Sequence, residues 1–103
     1  MTRHLVLSTL ALADLAAARD WYNDLRPGLG DDLLLCIEHV LARIIETPGA
    51  FHEYLPDVRR AVVRRFPYGV FFRVRPSRIE VEALFHLRSD PARLPLRMSR
   101  HQF

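Results

Sequence analysis

The chain has 103 residues, of which 50% are hydrophobic and 26% charged, and a net charge of +3, as expected for one folded domain with one core. No apolar run reaches the ~20 residues of a membrane-spanning helix, and the first residues lack a signal-peptide layout. We therefore expect a cytoplasmic protein with no membrane partner, and the single cysteine, Cys36, excludes an internal disulfide.

A strand and a helix are predicted at the start of the chain. The short apolar run His4–Leu7 is typical of a strand. Ser8 or Thr9 can cap the helix that follows, because a side-chain oxygen there accepts an otherwise unpaired backbone N–H. Residues spaced by three and four positions then predict an amphipathic helix that ends near Leu25. Its inner face comprises Leu12, Leu15, Ala16, Arg19, Tyr22 and Leu25, with Trp21 in or beside the core.

A second helix follows the break at Pro27–Gly30. Asp31 or Asp32 starts it, since an acidic side chain suits the positive end of a helix dipole, and Pro48-Gly49 ends it. Its apolar face comprises Leu34, Ile37, Leu41, Ile44 and Ile45. A connection this short predicts that the two helices form an antiparallel hairpin.

The second half of the chain alternates apolar and polar residues, which predicts three antiparallel strands. The strands are Val58–Phe66, Val70–Arg75 and Ile79–His86, with turns at Pro67–Gly69 and Pro76-Ser77. A two-residue loop at Pro76-Ser77 gives a register with apolar pairs on one face and a charged pair on the other. These pairs are Val74 with Ile79, Phe72 with Val81, Val70 with Ala83, and Arg73 with Glu80.

Together the elements predict an α+β domain of two layers over residues 1–103. An antiparallel helix hairpin packs on an antiparallel sheet of three or four strands, preceded by the N-terminal strand. Residues 89–103 show little periodicity and predict a loosely ordered tail. The helices cover the apolar face of the sheet, so the other face should carry alternating arginines.

The arginines are concentrated in the second half of the chain, and all 15 basic residues are arginine. Up to Asp57, four arginines and nine acidic residues give a net charge of −5, whereas eleven arginines and three acidic residues give +8 thereafter. This asymmetry predicts an anionic partner, either a nucleic acid or an acidic protein segment. The expected contact residues are Arg59, Arg60, Arg64, Arg73 and Arg88.

Motifs spread over most of the chain resemble the ParE/RelE toxins of type II toxin–antitoxin systems. In the helical half they are Asp14-Leu15, Ala18, Trp21-Tyr22, Gly28–Gly30, Ile44 and Pro48. In the strand half they are Val58–Arg60, Arg65–Tyr68, Val70–Val74, Ile79–Val81, Phe85-His86, Arg88 and Asp90-Pro91. Each motif is short, and their order along the chain carries the resemblance.

The resemblance implies a growth-inhibiting cytoplasmic toxin that forms a hetero-oligomer with a cognate antitoxin. The spacing is more similar to the ParE branch, which is associated with plasmid stabilisation and inhibition of DNA gyrase, than to the RelE branch. Members of the RelE branch cleave mRNA on the ribosome. Leu87 and Ser89 stand where relatives commonly carry Gly and Arg, and the chain ends His101–Phe103 without the tyrosine of several mRNA-cleaving relatives.

An endoribonuclease remains the alternative, because RNA cleavage needs an acid–base group and cations. His86 would supply proton transfer, with Arg64, Arg73 and Arg88 as cations. No catalytic residue is assigned under the binding hypothesis. The other histidines are too scattered for a metal site, and no motif indicates a cofactor. A family member that no longer poisons any target is the third hypothesis.

Overall fold

Two helices pack on one face of a five-stranded mixed sheet in the computed structural model, which describes residues 4–89, 92, 93 and 95. Most of the predicted tail, residues 89–103, lies outside the described residues. The elements are β1 (His4–Leu7), α1 (Thr9–Leu25), α2 (Leu29–Glu46), a 3-10 turn (Pro48–Ala50), β2 (Glu53–Leu55), β3 (Val58–Val62), β4 (Tyr68–Val74) and β5 (Arg78–His86). The predicted α+β class and the two-layer arrangement are confirmed.

The N-terminus of α1 is fixed by Ser8, as the sequence predicts. The Ser8 side-chain oxygen accepts a hydrogen bond from the backbone N–H of Ala11 at 3.0 Å. The same hydroxyl donates to the carbonyl of Glu82 at 2.9 Å, and Ser8 is fully buried. One cap therefore both starts the helix and attaches it to β5.

Two glycines shape the tight connection between the helices. Gly28 has a φ of +89°, which a residue without Cβ adopts readily. A Cβ on Gly30 would lie 2.1 Å from the carbonyl oxygen of Arg19, so only glycine permits this approach of α2 to α1. The Gly30 N–H donates to Asn23 Oδ1 at 2.7 Å. With these contacts α2 starts at Leu29, earlier than the predicted Asp31 or Asp32.

The buried face of α1 is rotated from the predicted one. Alanines give it close packing, with Ala11 and Ala18 buried and Leu15 and Tyr22 half-buried against the core. Leu12 and Leu25, predicted to face inward, are 55% and 61% exposed. Trp21 is 58% exposed and lies against the ring of Tyr22, with a centroid separation of 4.9 Å. The small alanines decide the face because they let the helix approach the sheet closely.

The buried face of α2 is likewise rotated. Its fully buried apolar residues are Leu33, Ile37, Val40 and Ile44, whereas the predicted Leu34, Leu41 and Ile45 are half-buried beside them. Two of the five predicted positions, Ile37 and Ile44, therefore lie at the centre of the core. The three half-buried residues lie at its margin.

The strand order is β1-β5-β4-β3-β2, with β1 parallel to β5 and the other pairs antiparallel. The sheet therefore has more strands than predicted, and one of its pairs is parallel. Two neighbouring strands can be parallel only if a long connection joins them. The helix hairpin and the strands that follow it provide this connection between β1 and β5. The additional strand, β2, has only three residues.

The predicted register of β4 and β5 is confirmed near their turn and wrong beyond it. Val74 lies opposite Ile79 and Phe72 opposite Val81, with Arg73 opposite Glu80. A β-bulge then shifts the pairing, so Val70 lies opposite Leu84 rather than Ala83. The extra residue on β5 is Glu82, which lies between the partners of Phe72 and Phe71. The bulge places neighbouring side chains of β5 toward the same face.

Strand β3 is shorter than predicted, because it ends at Val62 instead of Phe66. The chain then forms a loop in which the Val63 N–H donates to the Tyr68 carbonyl at 2.9 Å. Within this loop Arg65 has a φ of 71°, which no regular strand allows. The loop directs the adjacent arginines, Arg64 and Arg65, toward α2.

Candidate functional site

Three arginines on the face of the sheet away from the helices, here called the outer face, are held in ion pairs with acidic residues of the same chain. Arg73 Nη1 lies 3.1 Å from Glu82 Oε1, and Arg75 Nη1 lies 3.2 Å from Asp57 Oδ2. Glu80 binds two partners, with Arg75 Nε at 3.1 Å and Arg78 Nη2 at 2.6 Å. These six residues, Asp57, Arg73, Arg75, Arg78, Glu80 and Glu82, form the outer ion-pair cluster.

Burial strengthens this cluster. Glu82 is fully buried and Glu80 nearly so, which removes water that would screen their charges. Burial alone raises the pKa of Glu80, but the hydrogen bonds and charges of Arg78 and Arg75 outweigh it, so the pKa lies below its usual value. The hydrogen bond to Glu80 raises the pKa of Arg75. Arginine charge on this face is therefore largely balanced within the chain.

The rest of the outer face is mainly apolar and carries Arg60. Its second core cluster comprises Val58, Phe71, Ala83 and Phe85, with Leu55 packed against it. Tyr54 packs edge-to-face on Phe71 with ring centroids 5.3 Å apart. The guanidinium of Arg60 lies over the Tyr54 ring at 4.9 Å. The outer face therefore carries arginines at Arg60, Arg73 and Arg75, as the alternation predicts, but acidic residues of the chain balance more of their charge than expected.

A different set of arginines surrounds a cleft of about 650 Å³ between α2 and the loop after β3. This basic cleft is lined by Cys36, His39, Val40, Arg43, Arg64 and Arg65. Helix geometry brings Cys36, His39, Val40 and Arg43 to one side of α2, because residues three and four positions apart are neighbours. The loop supplies the remaining two residues of the cleft.

Charge in the basic cleft is only weakly balanced. Arg65 Nη2 lies 3.6 Å from Asp32 Oδ2, and both side chains are exposed, so water screens the pair. The guanidinium groups of Arg43 and Arg65 lie over the rings of Phe51 and Phe66, at 5.3 and 5.4 Å. Among the residues that the structure describes, Arg64 forms neither a hydrogen bond nor an ion pair. Among the described residues, the three guanidinium groups of the cleft therefore have one carboxylate partner, the screened Asp32.

His86 lies in a third location, an open depression of about 450 Å³ beside α1. Its ring packs edge-to-face on Tyr68 at 5.1 Å, and its Nδ1 accepts the Arg88 backbone N–H at 3.1 Å. Burial, followed by the nearby Tyr22 and Asp14, raises the pKa of Tyr68. The depression is lined by Asp14, Ala17, Ala18, Trp21, Tyr68, Leu84, Phe85, His86, Ser89 and Arg93. Neither Arg64 nor Arg73 is among these residues.

Comparison with known proteins identifies the family. Residues 5–91 match the family described as the ParE toxin of the type II toxin-antitoxin system parDE. The chain belongs to the ParE toxin family. It is 30% identical over 104 residues to Toxin ParE2 of Mycobacterium tuberculosis strains H37Rv and CDC 1551, a match that spans 100% of this chain and 99% of each relative.

A solved structure has the same fold. The chromosomal ParDE system from P. aeruginosa contains a chain that superposes with a TM-score of 0.76 at 22% identity, over 84% of this chain and 98% of that one. The resemblance drawn from the motifs is thus confirmed, and the ParE branch is supported over the RelE branch. The protein is a ParE toxin of a type II toxin–antitoxin system, and its family implies a cognate antitoxin.

In this ParE toxin the five arginines expected at one surface lie in separate places. Arg59 is on the helix side of the sheet, where its Nη1 donates to the Phe51 carbonyl at 2.6 Å. Arg60 covers Tyr54, Arg73 belongs to the outer ion-pair cluster, and Arg64 lines the basic cleft. Arg88 is exposed after the end of β5. Arg60 and Arg73 share the outer face, whereas Arg59, Arg64 and Arg88 lie elsewhere. The contact of these arginines with a partner stays a prediction.

The alternative catalytic set is also dispersed in this ParE toxin. His86 faces the depression beside α1, Arg73 lies on the outer face, and Arg64 lies beside α2. Only Arg88 adjoins His86, through its backbone N–H rather than its guanidinium. Among the described residues, no group of three or more His, Cys, Asp or Glu side chains is arranged to hold a metal ion. Neither described helix combines the length and apolar character needed to cross a membrane.

Reasoning from the sequence missed most of the basic cleft of this ParE toxin. Arg43, Arg65 and His39 were not expected at a binding surface. The spacing of His39 and Arg43 by four positions on a helix is a usable signal, since it places both on one side. Their proximity to the Arg64-Arg65 pair is a tertiary contact that the spacing alone does not give.

Proposed function

We propose that this ParE toxin inhibits growth by binding DNA gyrase, and that its cognate antitoxin neutralises it by forming a hetero-oligomer. The dispersal of His86, Arg64 and Arg73 over three surfaces is the observation that carries the choice of binding over RNA cleavage. Acid–base catalysis needs its groups within hydrogen-bond reach of one substrate, whereas inhibition by binding needs only a complementary surface. The choice of gyrase rests on the similarity to the ParE branch.

Among the five arginines expected to contact a partner, exposure favours Arg64 and Arg88. Arg59 and Arg73 are engaged within the chain through Phe51 and Glu82, and a partner would have to compete with these contacts. Arg60 is half-buried over Tyr54 and presents only part of its guanidinium. We therefore expect Arg64 to contribute more to partner binding than Arg59 or Arg73.

Expression of the chain in bacteria, followed by a supercoiling assay with purified gyrase, tests the proposal. We expect growth arrest, rescue by co-expression of the protein from the neighbouring reading frame, and dose-dependent loss of supercoiling. His86→Ala should retain all three effects, because the proposal assigns no proton transfer to His86. Primer extension on total RNA from induced cells should find intact transcripts.

Two results would contradict the proposal in different ways. In-frame cuts in transcripts that disappear in His86→Ala would identify an endoribonuclease of RelE type acting on the ribosome. Normal growth at confirmed expression, together with unchanged gyrase activity, would indicate a family member that no longer acts on this target.

A further inference from the structure

We infer that the basic cleft binds an acidic segment of a protein partner, with carboxylates at Arg43, Arg64 and Arg65 and an apolar side chain against Val40. The partner that the proposed function supplies is the antitoxin, and to that extent the inference rests on the proposed function. The site differs from the surface expected from the sequence, which lay on the outer face of the sheet. Three observations support it: the charge balance, the backbone of Arg65, and the composition of the cleft.

The charge balance of the cleft favours an anion. Three guanidinium groups line it, and the only carboxylate paired with any of them among the described residues is that of Asp32. A carboxylate of a partner can accept two parallel hydrogen bonds from one guanidinium group. The exposed Arg64 guanidinium is bound by no other described residue, and the Arg65–Asp32 pair is exposed enough to be replaced.

The backbone of Arg65 indicates that its side chain is used. Its φ of 71° is unfavourable for a long side chain such as arginine, and glycine or asparagine would adopt it more readily. The other non-glycine residue with positive φ among the described residues is Asp57, whose carboxylate binds Arg73 and Arg75. Asp57 thus has a role within the chain that accounts for its side chain. Within the described part of the chain, Arg65 contacts Asp32 through a screened pair and the ring of Phe66, and neither contact accounts for an arginine at this φ. An external ligand accounts for the residue better.

The composition of the cleft favours a peptide over a nucleic acid. Binding of unpaired bases relies on exposed aromatic rings for stacking. One imidazole ring, that of His39, lines the cleft, and the rings of Phe51 and Phe66 are covered by Arg43 and Arg65. Val40 and Cys36 also line the cleft, and their apolar surface suits an apolar side chain between carboxylates. A volume of about 650 Å³ holds a few side chains.

Fluorescence anisotropy with the purified full chain tests the inference. The probe is a labelled synthetic peptide in which Leu alternates with Glu, and the comparison probes are the same peptide with Lys in place of Glu and a labelled single-stranded RNA. We expect the acidic peptide to bind and Arg64→Gln to weaken binding about tenfold, because a charge-assisted hydrogen bond is lost. Arg65→Gly should weaken binding similarly without lowering the melting temperature, since it also removes the unfavourable backbone conformation.

Arg26→Gln is the matched control, because Arg26 is exposed at the end of α1 and its replacement removes the same charge away from the cleft. It should change the affinity less than about twofold, as expected for a screened charge that does not line the cleft. An equal loss in Arg26→Gln would show non-specific attraction and overturn the inference. Tighter binding of the RNA, dependent on Arg64, would overturn it in favour of a nucleic-acid site.

Growth assays separate this inference from the proposed function. We expect the double variant Arg64→Gln/Arg65→Gly to arrest growth and to be rescued less well than the wild type by the neighbouring reading frame. Full rescue of an active double variant would overturn the cleft as the antitoxin contact and leave the proposed function intact. Absence of growth arrest by the wild type would count against the proposed function, whereas the peptide measurement would still decide whether the cleft binds acidic segments.

Discussion

The outer ion-pair cluster and the basic cleft contain three arginines each and differ in what balances their charge. Across the outer face, Asp57, Glu80 and Glu82 lie within 4 Å of guanidinium nitrogens, and two of these acids are buried. In the cleft, aromatic rings hold two of the guanidinium groups, and Asp32, whose side chain is exposed, is the one acidic partner among the residues that the structure describes. Arginine serves the fold in the first region and remains available to a partner in the second.

This difference shows why the net charge of a segment does not locate a binding surface. The strongly basic second half of the chain contains both regions, yet Asp57, from the acidic half, neutralises part of the outer face. Arg43, also from the acidic half, contributes to the basic cleft. The pairing of each arginine in the folded chain, rather than the local excess of arginine, decides what remains for a partner.

The largest expected effect is on stability. The two regions should differ most in the free energy of unfolding that is lost when one charge is removed from each. Glu82→Gln should lower the free energy of unfolding by about 2 kcal/mol, because it leaves Arg73 without its buried carboxylate partner. Arg64→Gln should change it by less than about 0.5 kcal/mol, since Arg64 is exposed. Urea denaturation followed by circular dichroism provides both values.

A small effect of Glu82→Gln, within the range of Arg64→Gln, would mean that the buried pair of Arg73 and Glu82 contributes little to stability. The comparison would then fail, because the paired arginines would be as available to a partner as those of the cleft. A large loss of unfolding free energy in Arg64→Gln would also contradict the comparison. That result would give Arg64 a structural role.

The elements that the sequence predicted depend on local chemistry. Ser8 caps α1 because its hydroxyl lies three residues before the N–H that it accepts, and this relation is visible in the chain itself. The pairing of Val74 with Ile79 follows from the short turn between β4 and β5. The family motifs depend in the same way on order along the chain. Features of this kind were confirmed.

The features that were missed depend on contacts between distant residues. The bulge at Glu82 is linked to Arg73 across the strands, and no alternation pattern encodes an extra residue at that point. Leu12 is more hydrophobic than Ala11, yet Ala11 is buried because the close approach of α1 favours a small side chain. The basic cleft joins two segments, around Arg43 and Arg64, that are separated by the whole of β2 and β3.

Acidification should weaken the outer cluster selectively. The pKa of Glu80 is below its usual value in the folded protein, so its stabilising contribution is present above the unfolded-state pKa of about 4.3 and is lost as the pH falls through the lower folded value. Glu80→Gln should therefore be less stable than the wild type by about 1 kcal/mol at neutral pH and closer to it near pH 3. Urea midpoints at several pH values measure the two curves.

Arg64→Gln is the control for that experiment, because it leaves Glu80 and both of its arginine partners in place. Its stability should fall with pH in parallel with the wild type. If the stability of Glu80→Gln also fell with pH in parallel with the wild type, the ion pairs of Glu80 would make no net contribution to stability. The balance of charge on the outer face would then rest on Glu82 and Asp57 alone.

The smallest expected effect compares the two strained residues directly. Arg65→Gly should raise the melting temperature slightly, by a gain of about 0.5 kcal/mol, because the relief of positive φ exceeds the added entropy of the unfolded chain. Asp57→Gly relieves the same strain but removes the partner of Arg73 and Arg75, so it should give no gain. Differential scanning calorimetry of both variants decides the matter. Equal gains would show that the Asp57 carboxylate contributes as little to the fold as the Arg65 guanidinium, and the contrast between the two regions would then rest on Glu80 and Glu82.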